Sequence, residues 1–168
     1  MVTATTHPDA EEERPDDPSP LLPVGCIGQI VDHERLPDGR YNILLQGLCR
    51  VEIEELNEAT EERLYRLGRL SPMVDPDAVQ HDCPEARDLI RIALQGPGVG
   101  RMSMADDLQN LLDREEAPLD AILDLLAHPL LRENPERSEY LSLATLPERM
   151  ALLLRTMRHI NAAARQLM

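Results

Sequence analysis

Residues 24–56 constrain the fold of this chain more than any other segment. Apolar residues alternate along much of the segment, which is typical of β-strands with one buried face. Pro37, Asp38 and Gly39 interrupt the alternation, and glycine tolerates the positive φ that tight turns require. We therefore predict three short antiparallel strands joined by two turns. These strands end near Arg35, run over residues 40–45, and run over residues 48–56.

After this segment the hydrophobic pattern changes from a period of two residues to one of three to four. A fourth strand is predicted over residues 64–70, and five helices follow Pro72. Four strands and then five helices, without βαβ alternation, predict an α+β fold. The first helix is predicted over residues 86–94, the second begins after a Ser103 cap, and the third runs from Pro118 to Pro129. The fourth begins at Asn134-Pro135, and the fifth follows a capping box of Thr145 and Glu148. The apolar stripe of the fifth helix consists of Met150, Leu153, Leu154, Met157 and Ile160.

Several short motifs within these elements carry a family resemblance. They are Val24-Gly25, Leu36-Pro37-Asp38-Gly39-Arg40-Tyr41-Asn42, and Gly47 with Arg50 three residues on. This set resembles the amino-terminal substrate-binding domain of the Lon protease family, and residues 143–154, with Arg149, are similar to part of its helical bundle. The resemblance implies a small PUA-like β-barrel joined to a helical bundle, in a non-catalytic module that engages polypeptides.

The amino-terminal residues 1–20 are acidic and rich in proline, with almost nothing to bury. Such a segment cannot offset the entropy of being ordered, so we predict a disordered segment or a long loop. The remaining chain divides into a β subdomain over residues 21–75 and a helical subdomain over residues 84–168. Family members usually carry further strands before the part that matches at Val24, so we expect either a start codon placed too far downstream or a shortened gene with an open sheet edge.

The basic residues exclude several kinds of enzyme. All seventeen are arginine, and the chain has no lysine. P-loop nucleotide sites, Schiff-base enzymes and serine–lysine dyads need an amine, which arginine does not replace. We therefore predict a stand-alone member of the Lon family without ATPase or protease chemistry. The formal net charge of −14 also disfavours binding to phosphate backbones.

No cofactor or metal site is indicated by the spacing of possible ligands. Cys26, Cys49 and Cys83 match neither a disulfide framework nor a zinc knuckle, and His81-Asp82-Cys83 lacks a second ligand cluster. Residues 96–103 are rich in glycine, but they follow a helix and lack the lysine of a phosphate-binding loop, so we predict a flexible connection. Reduced cysteines and the lack of a membrane span favour a cytoplasmic protein.

Candidate binding residues are the apolar side chains in that glycine-containing connection, Val99, Met102 and Met104. Methionine suits a surface that accepts varied apolar sequences, although these three side chains could instead cap the helical core. Gly25, Pro37, Asp38, Gly39, Gly47 and Arg50 are interpreted as structural: the glycines for backbone geometry, and Arg50 for an ion pair or for packing on the sheet.

The function predicted from these observations is capture of unfolded or loosely folded polypeptides, and cooperation with a separate protease is left open. Docking would use the sheet edge, or a groove between sheet and helices. Two alternatives remain open at this stage. The first is RNA binding by a PUA-like barrel, and the second is a truncated gene product without independent function.

Overall fold

The computed structural model describes residues 2–6, 21–114 and 116–167. The chain divides into two compact units, Met1–Val74 and Asp75–Met168, and each unit is described by itself. The described strands all lie in the first unit and the described helices in the second, so the α+β fold is confirmed. Residues 76–83, which the sequence-based division left between subdomains, belong to the second unit.

Four antiparallel strands form one sheet in the order β1-β2-β3-β4. β1 covers residues 2–6, so the prediction of a disordered segment or loop over residues 1–20 is wrong for these five residues. Pairing with β2 supplies backbone hydrogen bonds that the composition of the segment does not reveal. Residues 7–20 lie outside the described residues. The strands are β1 (Val2–Thr6), β2 (Leu21–Arg35), β3 (Tyr41–Asn57) and β4 (Leu67–Pro72).

The second turn predicted between the strands at residues 45–48 is wrong. β3 continues through this point as a single long strand. Gly28 pairs with Gly47, but the preceding residue of β2 pairs with Cys49, so Leu48 is an extra residue in β3. Such a β-bulge shifts the alternation of side chains by one position without ending the strand. The interrupted apolar pattern therefore reflects a bulge, not a chain reversal.

The predicted turn at Pro37, Asp38 and Gly39 is confirmed. The Gly39 N–H donates to the Leu36 carbonyl over 3.0 Å, and the Leu36 N–H donates to the Arg40 carbonyl over 2.8 Å. Gly39 has a φ of 87°, which a three-residue hairpin loop requires at its last position. The Arg40 side chain donates to the Asp38 carboxylate and thereby lowers the pKa of that group. This loop joins β2 to β3.

Six α-helices form the described part of the second unit, one more than predicted. The additional helix is α1, a single turn. α3 begins at Ala105 with Met104 as its N-cap residue, so Ser103 does not cap it. The helices are α1 (Ala78–His81), α2 (Pro84–Leu94), α3 (Ala105–Leu112), α4 (Leu119–Leu130), α5 (Asn134–Ser142) and α6 (Leu146–Gln166), with a 3₁₀ turn at Val99–Arg101.

The capping box predicted at the start of α6 is confirmed. The Glu148 carboxylate accepts hydrogen bonds from the Thr145 N–H (3.0 Å) and from the Thr145 hydroxyl (2.7 Å). These two bonds lower the pKa of Glu148. The box satisfies N–H groups that the first turn of a helix leaves without a backbone partner. It fixes where the longest helix begins.

One hydrophobic core joins the helices of the second unit. Leu153 and Met157 of the predicted α6 stripe are fully buried, whereas Leu89 of the predicted α2 stripe is half exposed. None of the described helices has the length and apolar character needed to cross a membrane. The largest fully buried side chains of the core are Ile90, Leu94, Val99, Leu119, Ile122, Leu123, Leu126, Leu131, Leu146, Leu153 and Met157.

Candidate functional site

The glycine-containing connection between α2 and α3 is fixed to α6 by one side chain. Asn161 of α6 is 8% exposed, and its Oδ1 accepts hydrogen bonds from the N–H groups of Gly98 (3.0 Å) and Val99 (2.9 Å). Its Nδ2 donates to the Ala93 carbonyl over 2.9 Å. The predicted flexible connection is therefore wrong. Because Asn161 uses these two amides, they do not face a phosphate group.

Two glycines in this connection allow its close approach to α6. A Cβ atom at Gly96 would overlap the Asn161 amide. A Cβ atom at Gly98 would lie 2.7 Å from the Ile160 carbonyl oxygen, closer than real Cβ contacts come. Glycine is therefore needed here for packing between the connection and α6, and the glycine-rich composition has a structural cause.

The three binding candidates of the connection line one narrow apolar crevice. Val99 is 1% exposed and belongs to the helical core, while Met102 and Met104 are partly buried against it. The crevice has a free volume of about 10 Å³, which is close to the space of one water molecule. An apolar side chain would enter only if the methionines moved. A binding role for Val99, Met102 and Met104 stays a prediction. The other lining residues are Leu94, Ala105, Leu108, Leu126, Pro129 and Leu130.

A larger apolar surface lies on the sheet, in what we call the distal ribbon: residues 29–35 of β2 and 41–48 of β3. In this ribbon Ile30 pairs with Leu45, and Arg35 pairs with Tyr41. Paired residues of antiparallel strands share a face, and alternate residues of one strand do so as well. One face of the ribbon therefore carries an apolar row with these exposed fractions: Ile30 45%, Tyr41 52%, Ile43 49% and Leu45 40%.

Both edges of the distal ribbon lack a strand among the described residues. β1 pairs with β2 only as far as Ile27, and β4 pairs with β3 only from Val51 onward. The ribbon is thus two strands wide, whereas the other half of the sheet is four strands wide. An isolated two-stranded ribbon is only marginally stable in water, and its open edges are templates for pairing with another strand.

The charged depression between α2 and α3 has a structural explanation. It has a volume of about 420 Å³ and is lined by Asp82, Arg87, Arg91 and neighbouring residues. Arg87 donates to both carboxylate oxygens of Asp82 (2.7 and 2.9 Å) and to the Ala117 carbonyl (2.7 Å). Asp82 also accepts a hydrogen bond from the Leu119 N–H over 2.9 Å. The pair therefore joins the start of α2 to the start of α4.

The Arg87 guanidinium, together with the Leu119 N–H, holds the pKa of Asp82 below its usual value. Arg91 forms ion pairs with Asp88 and, at 3.0 Å, with Asp113. The acids and arginines that line the depression therefore bind one another. Both carboxylate oxygens of Asp82 accept hydrogen bonds, and no group of three or more possible metal ligands occurs among the described residues.

A buried arginine links three helices of the second unit. Arg149 of α6 is 3% exposed, and its Nη1 lies 2.9 Å from Oδ1 of Asp124 on α4. The Tyr140 hydroxyl of α5 donates to the same oxygen over 2.7 Å, and the guanidinium lies 6.0 Å from the Tyr140 ring centroid. Burial, and then the Asp124 charge, raise the pKa of Tyr140. Tyr140 therefore stays neutral, so the cluster is a structural one.

The residues of the structural motif lie in the sheet unit. Gly25 is buried opposite Val51, Arg50 is half-buried opposite Cys26, and Gly39 occupies the turn. Gly47 has neither a positive φ nor a neighbour within 4 Å of an added Cβ, so the structure does not require glycine there. Sequence reasoning missed the apolar row of the distal ribbon. The alternation of Tyr41, Ile43 and Leu45 was a signal that could have found it.

An α+β fold whose sheet carries an exposed apolar ribbon is typical of a domain that binds other chains. The family model of the ATP-dependent protease La (LON) substrate-binding domain matches residues 2–159 of the chain. The chain belongs to this family. The predicted resemblance to the Lon amino-terminal domain is thereby confirmed, well beyond the motifs on which it rested.

Curated relatives include several proteins called Lon protease. The protein from Trichlorobacter lovleyi is 36% identical over 81 residues, which are 48% of this chain and 9% of the relative. The protein from Brucella abortus is 25% identical over 147 residues, and that from Haemophilus influenzae is 23% identical over 154 residues, covering 80% and 92% of this chain. The chain spans less than a fifth of the length of these relatives, at 9 to 18%.

Solved structures show the same fold at low sequence identity. The N-terminal domain of a Mycobacterium avium complex Lon protease is 17% identical and has a TM-score of 0.58, covering 94% of this chain and 90% of that chain. A Lon N-terminal domain protein from Xanthomonas campestris is 20% identical and has a TM-score of 0.56, covering 80% of this chain and 68% of that chain. These similarities support the small sheet and the helical bundle.

Proposed function

We propose that this domain captures unfolded or loosely folded polypeptide segments without acting on them chemically. Membership of the Lon substrate-binding family supports a substrate-binding role. The observation that carries the proposal is the exposed apolar row of the distal ribbon, because contiguous exposed apolar surface on a soluble domain is typical of interaction sites. The row lies on two strands that have no further strand beside them among the described residues, so it presents both apolar side chains and backbone groups to a client.

The proposed binding is weak and broad in sequence preference. A client held by backbone hydrogen bonds and a few apolar side chains needs no single residue that specifies it, and ordering an unfolded segment costs free energy at the moment of binding. The absence of lysine and the use of the described buried charges in structural pairs support a binding step without catalysis.

The relatives named Lon protease suggest a purpose for capture. We propose that captured segments are passed to a protease module, carried on the same polypeptide or on a separate one. We further propose a reducing, cytoplasmic compartment, where Cys26, Cys49 and Cys83, which form no disulfide among the described residues, stay as thiols.

A binding experiment with a permanently unfolded chain tests the proposed capture. Reduced and carboxymethylated α-lactalbumin, labelled with a fluorophore, is titrated with the domain, and the native, disulfide-bonded protein is the control. We expect anisotropy to rise only with the unfolded form. Equal signals, or no signal, would contradict capture of unfolded segments.

The same titration with a labelled single-stranded RNA of similar length tests nucleic-acid binding. At a net charge of −14 we expect no complex at physiological salt. An RNA complex that weakens steeply with salt, together with no effect of the unfolded protein, would replace our proposal by RNA binding.

A further inference from the structure

We propose that the outer face of α2 and the charged depression beside it form a second client site, which takes an arginine or lysine side chain flanked by large apolar residues. The site rests on the proposed function and adds a sequence preference to client capture, on the helical unit instead of the distal ribbon. Three observations carry it: the charge of the depression, the exposed acids Asp88 and Asp113 at its rim, and the apolar residues next to them.

The depression has the size and the charge to accept a basic side chain. Its volume of about 420 Å³ lies within the range of pockets that hold small ligands. Three aspartates and two arginines line it, so the net charge of the lining is −1. A cation reduces this charge, whereas an anion adds to it. The charged residues of the lining are Asp82, Asp88 and Asp113 with Arg87 and Arg91.

The two rim acids share one arginine. Arg87 binds both carboxylate oxygens of Asp82, and this pair holds the helices together in the buried part of the depression. Arg91 bridges Asp88 and, over 3.0 Å, Asp113, whose side chains are 63% and 67% exposed. One guanidinium group thus faces two accessible carboxylates and neutralises them only in part. A guanidinium or ammonium group from a client balances the remaining charge.

The end of α3 adds to the negative potential at the rim. Asp113 is the C-cap residue of α3, and the last turn of this helix contains no basic residue. The carbonyl end of a helix carries a partial negative charge, so a carboxylate at this position is unfavourable for the helix. Local arrangements that cost stability in this way are typical of functional sites. A client cation bound at Asp113 relieves the repulsion between this carboxylate and the helix end.

The outer face of α2 supplies apolar contacts next to the rim. Glu85, Asp88, Leu89 and Ile92 are spaced three or four residues apart, so they share one face of the helix. Leu89 is 50% exposed and Ile92 is 68% exposed. The Cβ atoms of residues at this spacing are about 5–6 Å apart, which neighbouring side chains of one peptide can span. A basic residue held at Asp88 therefore places its apolar neighbours on Leu89 and Ile92.

Charge selects a basic client over a second copy of the domain. Two copies joined through this face would bring Glu85, Asp88 and Asp113 of both copies together, and like charges repel. Each copy carries a net charge of −14, which further opposes that association. A nucleic acid would meet the same repulsion. A basic polypeptide segment is attracted instead.

Peptides that differ in one charge or in their apolar residues test the inference. A labelled peptide of about ten residues, with a central arginine flanked by leucines, is titrated against the whole domain in about 0.1 M salt. Citrulline in place of arginine keeps the shape of the side chain and removes its charge. Serine in place of the leucines removes the apolar contacts. We expect the arginine–leucine peptide to bind about fivefold more tightly than either control.

Two matched double variants locate the charged part of the site. Asp88→Asn with Asp113→Asn removes the rim charges, and Asp106→Asn with Asp107→Asn removes the same charge from exposed positions at the opposite end of α3. We expect the first variant to bind the arginine–leucine peptide about fivefold to tenfold more weakly and to bind the citrulline peptide as the unchanged domain does. The second should change either affinity less than about twofold, because its charges lie about 10 Å along the helix from Asp113 and are screened.

A further pair of variants tests the apolar part of the site. Ile92→Ser removes an apolar side chain from the outer face of α2, and Leu125→Ser is the control on α4, since both side chains are more than half exposed. We expect Ile92→Ser to bind the arginine–leucine peptide about twofold to fivefold more weakly and to keep its preference for arginine over citrulline. Leu125→Ser should bind as the unchanged domain does.

The outcomes separate this site from the proposed function. If the arginine and citrulline peptides bind equally, or if both double variants weaken binding equally, the rim does not select basic side chains and the inference is wrong. Unfolded α-lactalbumin would then still bind if the proposed function is right. If sedimentation shows a dimer that Ile92→Ser dissociates, and no peptide binds, the outer face of α2 is an interface between copies, and the inference is overturned.

Discussion

The helical unit and the sheet unit differ in how far they bury their large apolar side chains. Ile90, Leu119 and Leu153 of the helical unit are completely buried. In the sheet unit, Val51 is the only described large apolar side chain that is buried, while Leu44 is 61% exposed. Burial of apolar surface is the main source of stability, so the helical unit gains more stabilisation from burial than the sheet unit does. The sheet unit leaves apolar surface available for another chain.

The largest effect that tests this comparison is expected from shortening one side chain in the helical core. Leu153→Ala should reduce the free energy of unfolding by about 2–5 kcal/mol, because it removes buried methyl groups and leaves a cavity. Urea unfolding followed by circular dichroism at the helical wavelength measures the change. Leu125→Ala, at a position 51% exposed on α4, is the control and should cost much less. Similar losses in both variants would contradict a single dominant core.

The next effect is expected at the side chain that fixes the glycine-containing connection. Asn161→Ala leaves the amides of Gly98 and Val99 without their acceptor, and should cost about 1–3 kcal/mol of unfolding free energy. Hydrogen exchange at these two amides should become faster as well. His159→Ala, an exposed position on the same helix, is the matched control. Unchanged exchange in Asn161→Ala would show that other contacts hold the connection.

A smaller effect distinguishes the two glycines of the sheet unit. Gly39→Ala places a Cβ atom at a φ of 87° and should destabilise the hairpin by about 1 kcal/mol. Gly47→Ala has no such strain and open space around the added atom, so it should be neutral or slightly stabilising. Chemical-shift changes or thermal unfolding of the sheet unit would measure both. The reverse order would mean that the β-bulge, not the turn, limits the hairpin.

The smallest effect is expected in the pH dependence of stability, for which we compare one acid from each unit. The folded pKa values of Asp82 and Asp38 both lie below the ordinary aspartate value of 3.8, in each case first because of a hydrogen bond from an arginine side chain. A depressed folded pKa contributes stability above the unfolded pKa, and that contribution is lost as the pH falls through the folded value. As the pH falls below about 4, the free energy of unfolding of the wild type should therefore decrease. The Asp82→Asn variant lacks this contribution at every pH, so its free energy of unfolding should depend less on pH in this range.

Asp38→Asn is the control for that titration, because the Asp38 side chain is half exposed in a surface turn, whereas Asp82 is partly buried between helices. Its unfolding curves should follow the wild type over the same pH range. If Asp38→Asn flattened the acid dependence as much as Asp82→Asn, the sheet turn would contribute more to acid stability than its exposure indicates.

Local signals in the sequence predicted the elements that local physics decides. The turn at Pro37-Asp38-Gly39 and the capping box of Thr145 and Glu148 follow from the conformational range of glycine and from hydrogen bonds three residues apart. The β-bulge at Leu48 was mistaken for a turn, since both interrupt alternation in the same way. Strand β1 was missed because its partners in β2 are at least fifteen residues away in the chain.

The candidate site was predictable only in part. The sequence brought attention to Val99, Met102 and Met104 as apolar residues outside the regular stripes, and the structure places all three on one crevice. The sequence left open whether Val99 lines a binding surface or caps the helical core, because its burial depends on Asn161, more than sixty residues away. The exposed ribbon was hidden for a similar reason: alternation shows that a strand has an apolar face, not whether another layer covers it.

The amino-acid sequence by itself determined the α+β class, the hairpin turn at Gly39 and the start of α6. Periodicity, glycine and capping residues act over a few positions, so their effects can be predicted without a fold. Tertiary structure decided which apolar side chains are buried and which stay exposed on the sheet. These properties depend on residues that are distant in the chain and meet only after folding, and they define the surface proposed to bind polypeptides.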